Sequence, residues 1–139
     1  MNKAILIPGL LLSCFSLLVA DEPRPFFIEG YSSQLSYAPG EELKLHTSTS
    51  ARQFGIQITR HGAKKETVFS KAGIRGAEHP IPENASSHGC KWPIGFKMVI
   101  PTDWKSGYYE VSLRVEDGGG KFIHRNRRTA EGSCHFILR

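Results

Sequence analysis

The stretch PTDWKSGYYEVSLRVE, at residues 101–116, decides the fold. It opens with residues that favour tight turns: Pro101, Asp103, Ser106 and Gly107. Apolar side chains then occupy every second position: Tyr109, Val111, Leu113 and Val115. Polar or charged residues fill most positions between them. A period of two predicts a β-strand with one buried face and one face in water.

The start of this strand has the spacing of a tyrosine corner. Gly107 is followed by Tyr109 and Val111 in a Gly-x-Tyr-x-apolar pattern. In such corners, a tyrosine at the start of a late sandwich strand bonds back to nearby backbone. An ordinary strand carrying two aromatic residues fits the same pattern, and both alternatives place a strand here.

The same alternation recurs in four further segments, at residues 43–48, 54–59, 96–100 and 134–138. Residues 67–69 predict a short edge strand, and the nearby lysines disfavour its pairing with another chain. Two short strands are expected within residues 26–37, separated by a turn at Gly30. Residues 71–93 show no usable period and predict a long loop.

Together these patterns predict about seven or eight short strands and no convincing helix. We therefore expect an all-β, immunoglobulin-like antiparallel β-sandwich, with a jelly roll as the nearest alternative.

The first twenty residues predict a secretory signal peptide. Lys3 precedes an apolar run over residues 4–20, and Asp21 follows it. The run is short for a bilayer span and is interrupted by Pro8, so no membrane span is expected after its removal. Lipid anchoring at Cys14 is disfavoured because the apolar run continues beyond that residue. Residues 21–139 then form a single β-sandwich domain, secreted or periplasmic.

Charge and cysteine content narrow the remaining classes. The formal net charge of +5 is mildly basic and does not by itself imply a nucleic-acid partner. With Cys14 removed, Cys90 and Cys134 remain, an even number that favours a disulfide in an exported chain. Two buried free thiols are an alternative that fits the cysteine count equally well.

Four strings in order resemble one known family. They are IEGY at residues 28–31, SQLSYAPGE at 33–41, GCKWP at 89–93 and PxDWxSGYY at 101–109. They are similar to the N-terminal β-sandwich domain of the N,N-dimethylformamidase large (beta) subunit-like family. The resemblance implies that members of that family carry a larger catalytic domain after the sandwich. That domain binds iron and hydrolyses an amide. The chain ends before that domain, so the resemblance implies an accessory domain without the catalytic residues.

No catalytic or metal motif stands out in the sequence itself. There is no G-x-S-x-G elbow, and no pattern pairs Cys90 with a particular histidine. Zinc sites use ligand pairs that are close along the chain. The candidate ligands are scattered: His61, His79, His88, His135 and Cys90. We therefore expect no cofactor and no enzymatic activity from this chain alone.

Two candidate binding features remain. A basic segment could contact an anionic partner through Lys121, Arg125, Arg127 and Arg128, although a solvated loop is the simpler interpretation. Trp92 and Trp104 could offer an aromatic surface, but packing at the core is favoured for both.

Three functions follow from these observations. The first is a secreted noncatalytic binding or accessory domain, with an acidic or polysaccharide ligand. The second is a structural subunit or fragment of an amidase-like hydrolase whose catalytic domain is encoded separately. The third is a carbohydrate-binding module.

Overall fold

The computed structural model describes residues 25–116 and 129–139. The predicted signal peptide, Cys14 and the basic segment lie outside these residues. The described part forms eight strands and one helical turn, in the order β1 (Ile28–Ser32), β2 (Ser36–Tyr37), β3 (Glu42–Thr49), β4 (Gln53–His61), β5 (Lys65–Arg75), α1 (Ala85–His88), β6 (Ile94–Val99), β7 (Gly107–Glu116) and β8 (Thr129–Leu138). No helix among the described residues is long and apolar enough to span a membrane.

The strands form two sheets that pack face to face. One sheet has three strands in the order β1-β3-β6, and the other has five in the order β2-β8-β7-β4-β5. All pairings are antiparallel except that of β2 with β8, which is parallel. The predicted all-β sandwich is confirmed.

Strand β7 lies inside the larger sheet, paired with β4 on one side and β8 on the other. Its inward side chains are 0–1% exposed: Tyr109, Val111, Leu113 and Val115. Buried side chains of the opposite sheet complete the core: Ile28, Leu43, Leu45 and Phe96. Full burial of each large apolar side chain contributes about 1.5–3 kcal/mol to the stability of the fold. The alternation of β7, which buries four such side chains, therefore organises the core.

The tyrosine corner is confirmed. The Tyr109 hydroxyl donates a hydrogen bond to the carbonyl oxygen of Lys105 at 2.5 Å. The Trp104 ring stacks on Tyr109 at 5.3 Å, and the Phe136 ring stacks on it at 5.2 Å. Burial raises the pKa of Tyr109, and the nearby Arg60 guanidinium opposes that rise. The corner therefore joins the turn before β7 to the centre of the core.

Three local predictions are corrected. Gly30 lies within β1 and not in a turn, and it is small because a Cβ there would come within 2.7 Å of Leu113 Cδ1. Strand β5 is an edge strand as predicted, but it spans eleven residues, extending into the segment expected to be loop. Most of its side chains are exposed, so it carries no alternation. The remaining loop contains the single turn α1.

Strand β1 also packs closely against β8 of the other sheet. A Cβ on Gly132 would come within 2.5 Å of the carbonyl oxygen of Ile28. The backbones of the two sheets therefore approach each other at a position where a side chain cannot fit.

We predict that Tyr109→Phe destabilises the domain by about 1–2 kcal/mol, because the Lys105 carbonyl loses its hydrogen-bond donor in a buried corner. Urea unfolding measures the difference. Tyr108→Phe is the matched control, since the neighbouring ring is 39% exposed. Equal stability of the two variants would contradict a structural role for the corner.

Replacing Gly132 by alanine should cost about 1–3 kcal/mol, because the added methyl group overpacks the contact with β1. Thermal unfolding of this variant should be compared with that of Gly55→Ala. A Cβ at Gly55 has its nearest neighbour at 3.5 Å, so the control should remain within about 1 kcal/mol of the parent. A Gly132→Ala protein as stable as the control would refute the close approach.

Candidate functional site

The outer face of the five-stranded sheet carries a cluster of aromatic, apolar and ionisable side chains. We call it the sheet-face patch, and it consists of His61, Tyr108, Glu110, His135 and Ile137. The strand register brings these residues together. His61 pairs with Tyr108 and Tyr108 with Ile137, while Glu110 pairs with His135. All alternate with core residues of the same strands, so the patch lies opposite the core.

Side-chain contacts order the patch. His61 Nε2 lies 2.7 Å from Glu110 Oε2. The Tyr108 ring meets His61 edge to face at 5.2 Å and stacks on His135 at 5.5 Å. Because these residues sit on adjacent paired strands, the strand register fixes the spacing between them.

The composition of the patch suits recognition more than catalysis. Tyr108 is 39% exposed and Ile137 is 42% exposed. Protein interfaces are enriched in tyrosine and place polar groups around an apolar centre. Here the His61 imidazole lies beside the exposed Tyr108, and Glu110 and His135 form the next outward-facing pair along β7 and β8. The patch was not predicted from the sequence, although the alternation in residues 134–138 places Ile137 on the side away from the core.

A second cluster fixes the loop between β5 and β6 to the three-stranded sheet. The Trp92 indole N–H donates to the Pro80 carbonyl oxygen at 2.9 Å, and the Trp92 backbone N–H donates to the Tyr31 hydroxyl at 3.1 Å. The ring of His46 stacks on that of Tyr31 at 4.9 Å. Its Nδ1 lies 2.6 Å from the Trp92 carbonyl oxygen. Four groups on three segments thus lock one another in place.

The positions of the tryptophans explain their roles. Trp92 is 6% exposed, which corrects the idea that it offers an aromatic surface to a ligand. Trp104 is partly buried and covers Tyr109 at the end of the sandwich. Both act as packing residues, as favoured from the sequence.

A groove of about 780 Å³ runs between β1 and β8. Its floor includes Gly30 and Gly132, and its walls include Trp92 and Cys90. Glu29 and Glu131 also contribute to the lining, and the Glu131 carboxylate forms an ion pair with Arg114 at 2.9 Å. The sequence could not indicate this groove because it depends on how the two sheets meet.

Cys90 and Cys134 are both free thiols, so the structure does not contain the predicted disulfide. Cys134 packs against the core from β8, whereas Cys90 lies in the groove, on the loop that Trp92 fixes. Burial raises the pKa of Cys134 to about 11. Within residues 25–116 and 129–139, no three histidine, cysteine or acidic residues are placed to hold a metal ion.

The two packed sheets and the tyrosine corner place the chain among the immunoglobulin-like β-sandwich domains. It belongs to the N,N-dimethylformamidase beta subunit-like family, whose model matches residues 55–136. That model describes the C-terminal region of the family, so the N-terminal placement expected from the sequence is corrected.

Other comparisons are more distant. No curated protein matches the chain. Among solved structures, the sporulation control protein Spo0M from Bacillus subtilis matches with 16% identity and a TM-score of 0.48. The match covers 84% of this chain and 50% of Spo0M, so the chain spans about half the length of that protein.

The two thiols should differ in reactivity. In the chain from residue 21 onward at pH 8, we predict that iodoacetamide alkylates Cys90 first. Because the pKa of Cys134 is about 11, only roughly a thousandth of the Cys134 thiol is deprotonated at pH 8. Mass spectrometry of peptides from unreduced protein measures both rates. A Cys90–Cys134 disulfide peptide, or equal rates, would contradict this description.

Proposed function

We propose that this chain is an exported accessory domain that docks onto a separately encoded amidase-like catalytic chain. The docking surface is the sheet-face patch. The single observation that carries the proposal is the exposed Tyr108–Ile137 pair, held on adjacent strands with His61, Glu110 and His135 as neighbours. A rigid surface of this kind binds a protein partner without the entropic cost of ordering a loop.

Family membership supports the identity of the partner. The matched region is described as the C-terminal part of a beta subunit-like protein, which is a component of an amide hydrolase. The basic start and apolar run of residues 1–20 support export to the periplasm or the exterior. The basic segment would then make a second contact, either with an acidic surface of the same partner or with a polysaccharide.

The carbohydrate-binding alternative is weaker on this structure. Sugar rings stack on exposed, flat aromatic faces. The indole of Trp92 is buried, and one face of Trp104 is covered by Tyr109. The Tyr108 ring is stacked against His135. The buried Trp92 therefore offers no face to a sugar, and Trp104 and Tyr108 each have one face already occupied.

Site-specific photo-crosslinking in the native host tests the docking surface. A benzoylphenylalanine placed at Tyr108 should crosslink to a polypeptide that contains an amidase-like catalytic domain, identified by peptide sequencing. The crosslink should fall at least severalfold when Ile137→Glu is added, since a buried unpaired charge opposes docking.

The matched control carries the same photoreactive residue at Val99. That side chain is 61% exposed on β6 of the three-stranded sheet, on the opposite layer of the sandwich. Equal crosslinking from both positions, or partners that lack any amidase-like domain, would contradict the proposal.

A further inference from the structure

We propose that Ser33 is an activated nucleophile, with His46 as its general base, that accepts acyl or phosphonyl groups from activated esters. Ser33 Oγ lies 2.7 Å from His46 Nε2. This pair belongs to the three-stranded sheet, and it is tested by chemical labelling rather than by partner capture, so its test is independent of the docking proposal.

Backbone pairing places the two residues together. Ser33 directly follows β1, and its backbone N–H donates to the carbonyl oxygen of Lys44 on β3 at 2.9 Å. His46 is two residues further along β3, and its side chain is half-buried while Ser33 is exposed. The Ser33 hydroxyl is therefore accessible to a reagent, whereas the His46 ring that acts as its base is half-buried.

The second ring nitrogen decides which atom carries the proton. His46 Nδ1 lies 2.6 Å from the Trp92 carbonyl oxygen, which can only accept. Nδ1 must therefore be the protonated nitrogen of the neutral ring. Nε2 is left as an acceptor, so the Ser33 hydroxyl must donate to it. A serine that donates to the free nitrogen of an oriented imidazole is the arrangement that nucleophilic catalysis requires.

The ring is also fixed in orientation. Tyr31 stacks on His46 with an interplanar angle of 14°, and the Tyr31 hydroxyl accepts the backbone N–H of Trp92. The carbonyl that sets the tautomer is thereby held by the same cluster. The Trp92 carbonyl thus fixes the tautomer and orientation of His46, as the carboxylate of a catalytic triad does, but it carries no charge that would stabilise the imidazolium.

A second serine–histidine contact in the described residues lacks these features. Ser87 Oγ lies 2.7 Å from His88 Nδ1 but also donates to the Asn84 carbonyl oxygen at 3.1 Å. Both residues are exposed on α1. Nothing among the described contacts fixes the tautomer of His88, so this pair serves as an internal control.

The reaction can be written with a fluorophosphonate as the probe. Ser33 Oγ forms a bond to phosphorus, the P–F bond breaks, and fluoride leaves with the bonding electrons. The hydroxyl proton passes to His46 Nε2, and the imidazolium releases it to water. With a carboxylic ester, the bond forms to the acyl carbon and the alcohol leaves with that proton.

Labelling by a fluorophosphonate, followed by peptide mapping, tests the assignment. We expect the label on Ser33 and its loss in Ser33→Ala. The informative variant is His46→Asn, whose side-chain amide can still donate to the Trp92 carbonyl but cannot replace Nε2. A positioned general base contributes about 10²–10⁴-fold, so labelling should slow by at least about a hundredfold. Circular dichroism and thermal unfolding establish that the variant is folded.

Ser32→Ala and Ser87→Ala should label at the parental rate, because the Ser32 hydroxyl donates to the Gln34 carbonyl oxygen and Ser87 has no fixed base. Label spread evenly over several serines would overturn the proposal. So would a folded His46→Asn protein that labels as fast as the parent.

Discussion

The rest of the structure depends on the hydrogen bond between the Tyr109 hydroxyl and the Lys105 carbonyl oxygen. Tyr109 is fully buried, so an unpaired hydroxyl there would cost about 1–3 kcal/mol. The bond removes that cost and fixes the turn from which β7 begins. With the entry of β7 fixed, its register with β4 and β8 follows, and the core face and the sheet-face patch are set together.

Sequence predicted the strands that have one buried and one exposed face. The alternation of β7 and of the β3 segment at Leu43 and Leu45 was sufficient. It located β5 only at residues 67–69 and missed the rest of the strand, because an edge strand with mostly exposed side chains has no buried face to reveal its period. It failed at Gly30 for a different reason: glycine serves turns and close contacts equally well, and the close contact with Leu113 exists only after the sheets pack.

The sites were less predictable than the fold, since each combines residues that only the strand register brings together. His61 and His135 are far apart in sequence and are joined through Tyr108 between them. Ser33 and His46 become partners through the pairing that follows β1 and β3, and no local motif marks them. The disulfide prediction used cysteine parity alone, which carries no information about which layer each thiol occupies. Parity could not show that Cys134 packs against the core while Cys90 lies in a surface groove.

The short strand β2 covers the last two residues of β8 at one edge of the larger sheet. By lying parallel to the end of β8, it accepts the backbone N–H groups of Ile137 and Arg139 through the carbonyls of Leu35 and Tyr37. An unpaired edge at the end of β8 would leave those backbone N–H groups free to hydrogen-bond with an extended segment of another chain. At the opposite margin, irregular pairing and the lysines of β5 discourage such growth. The end of β8 and the β5 edge therefore both disfavour the addition of a strand from another chain.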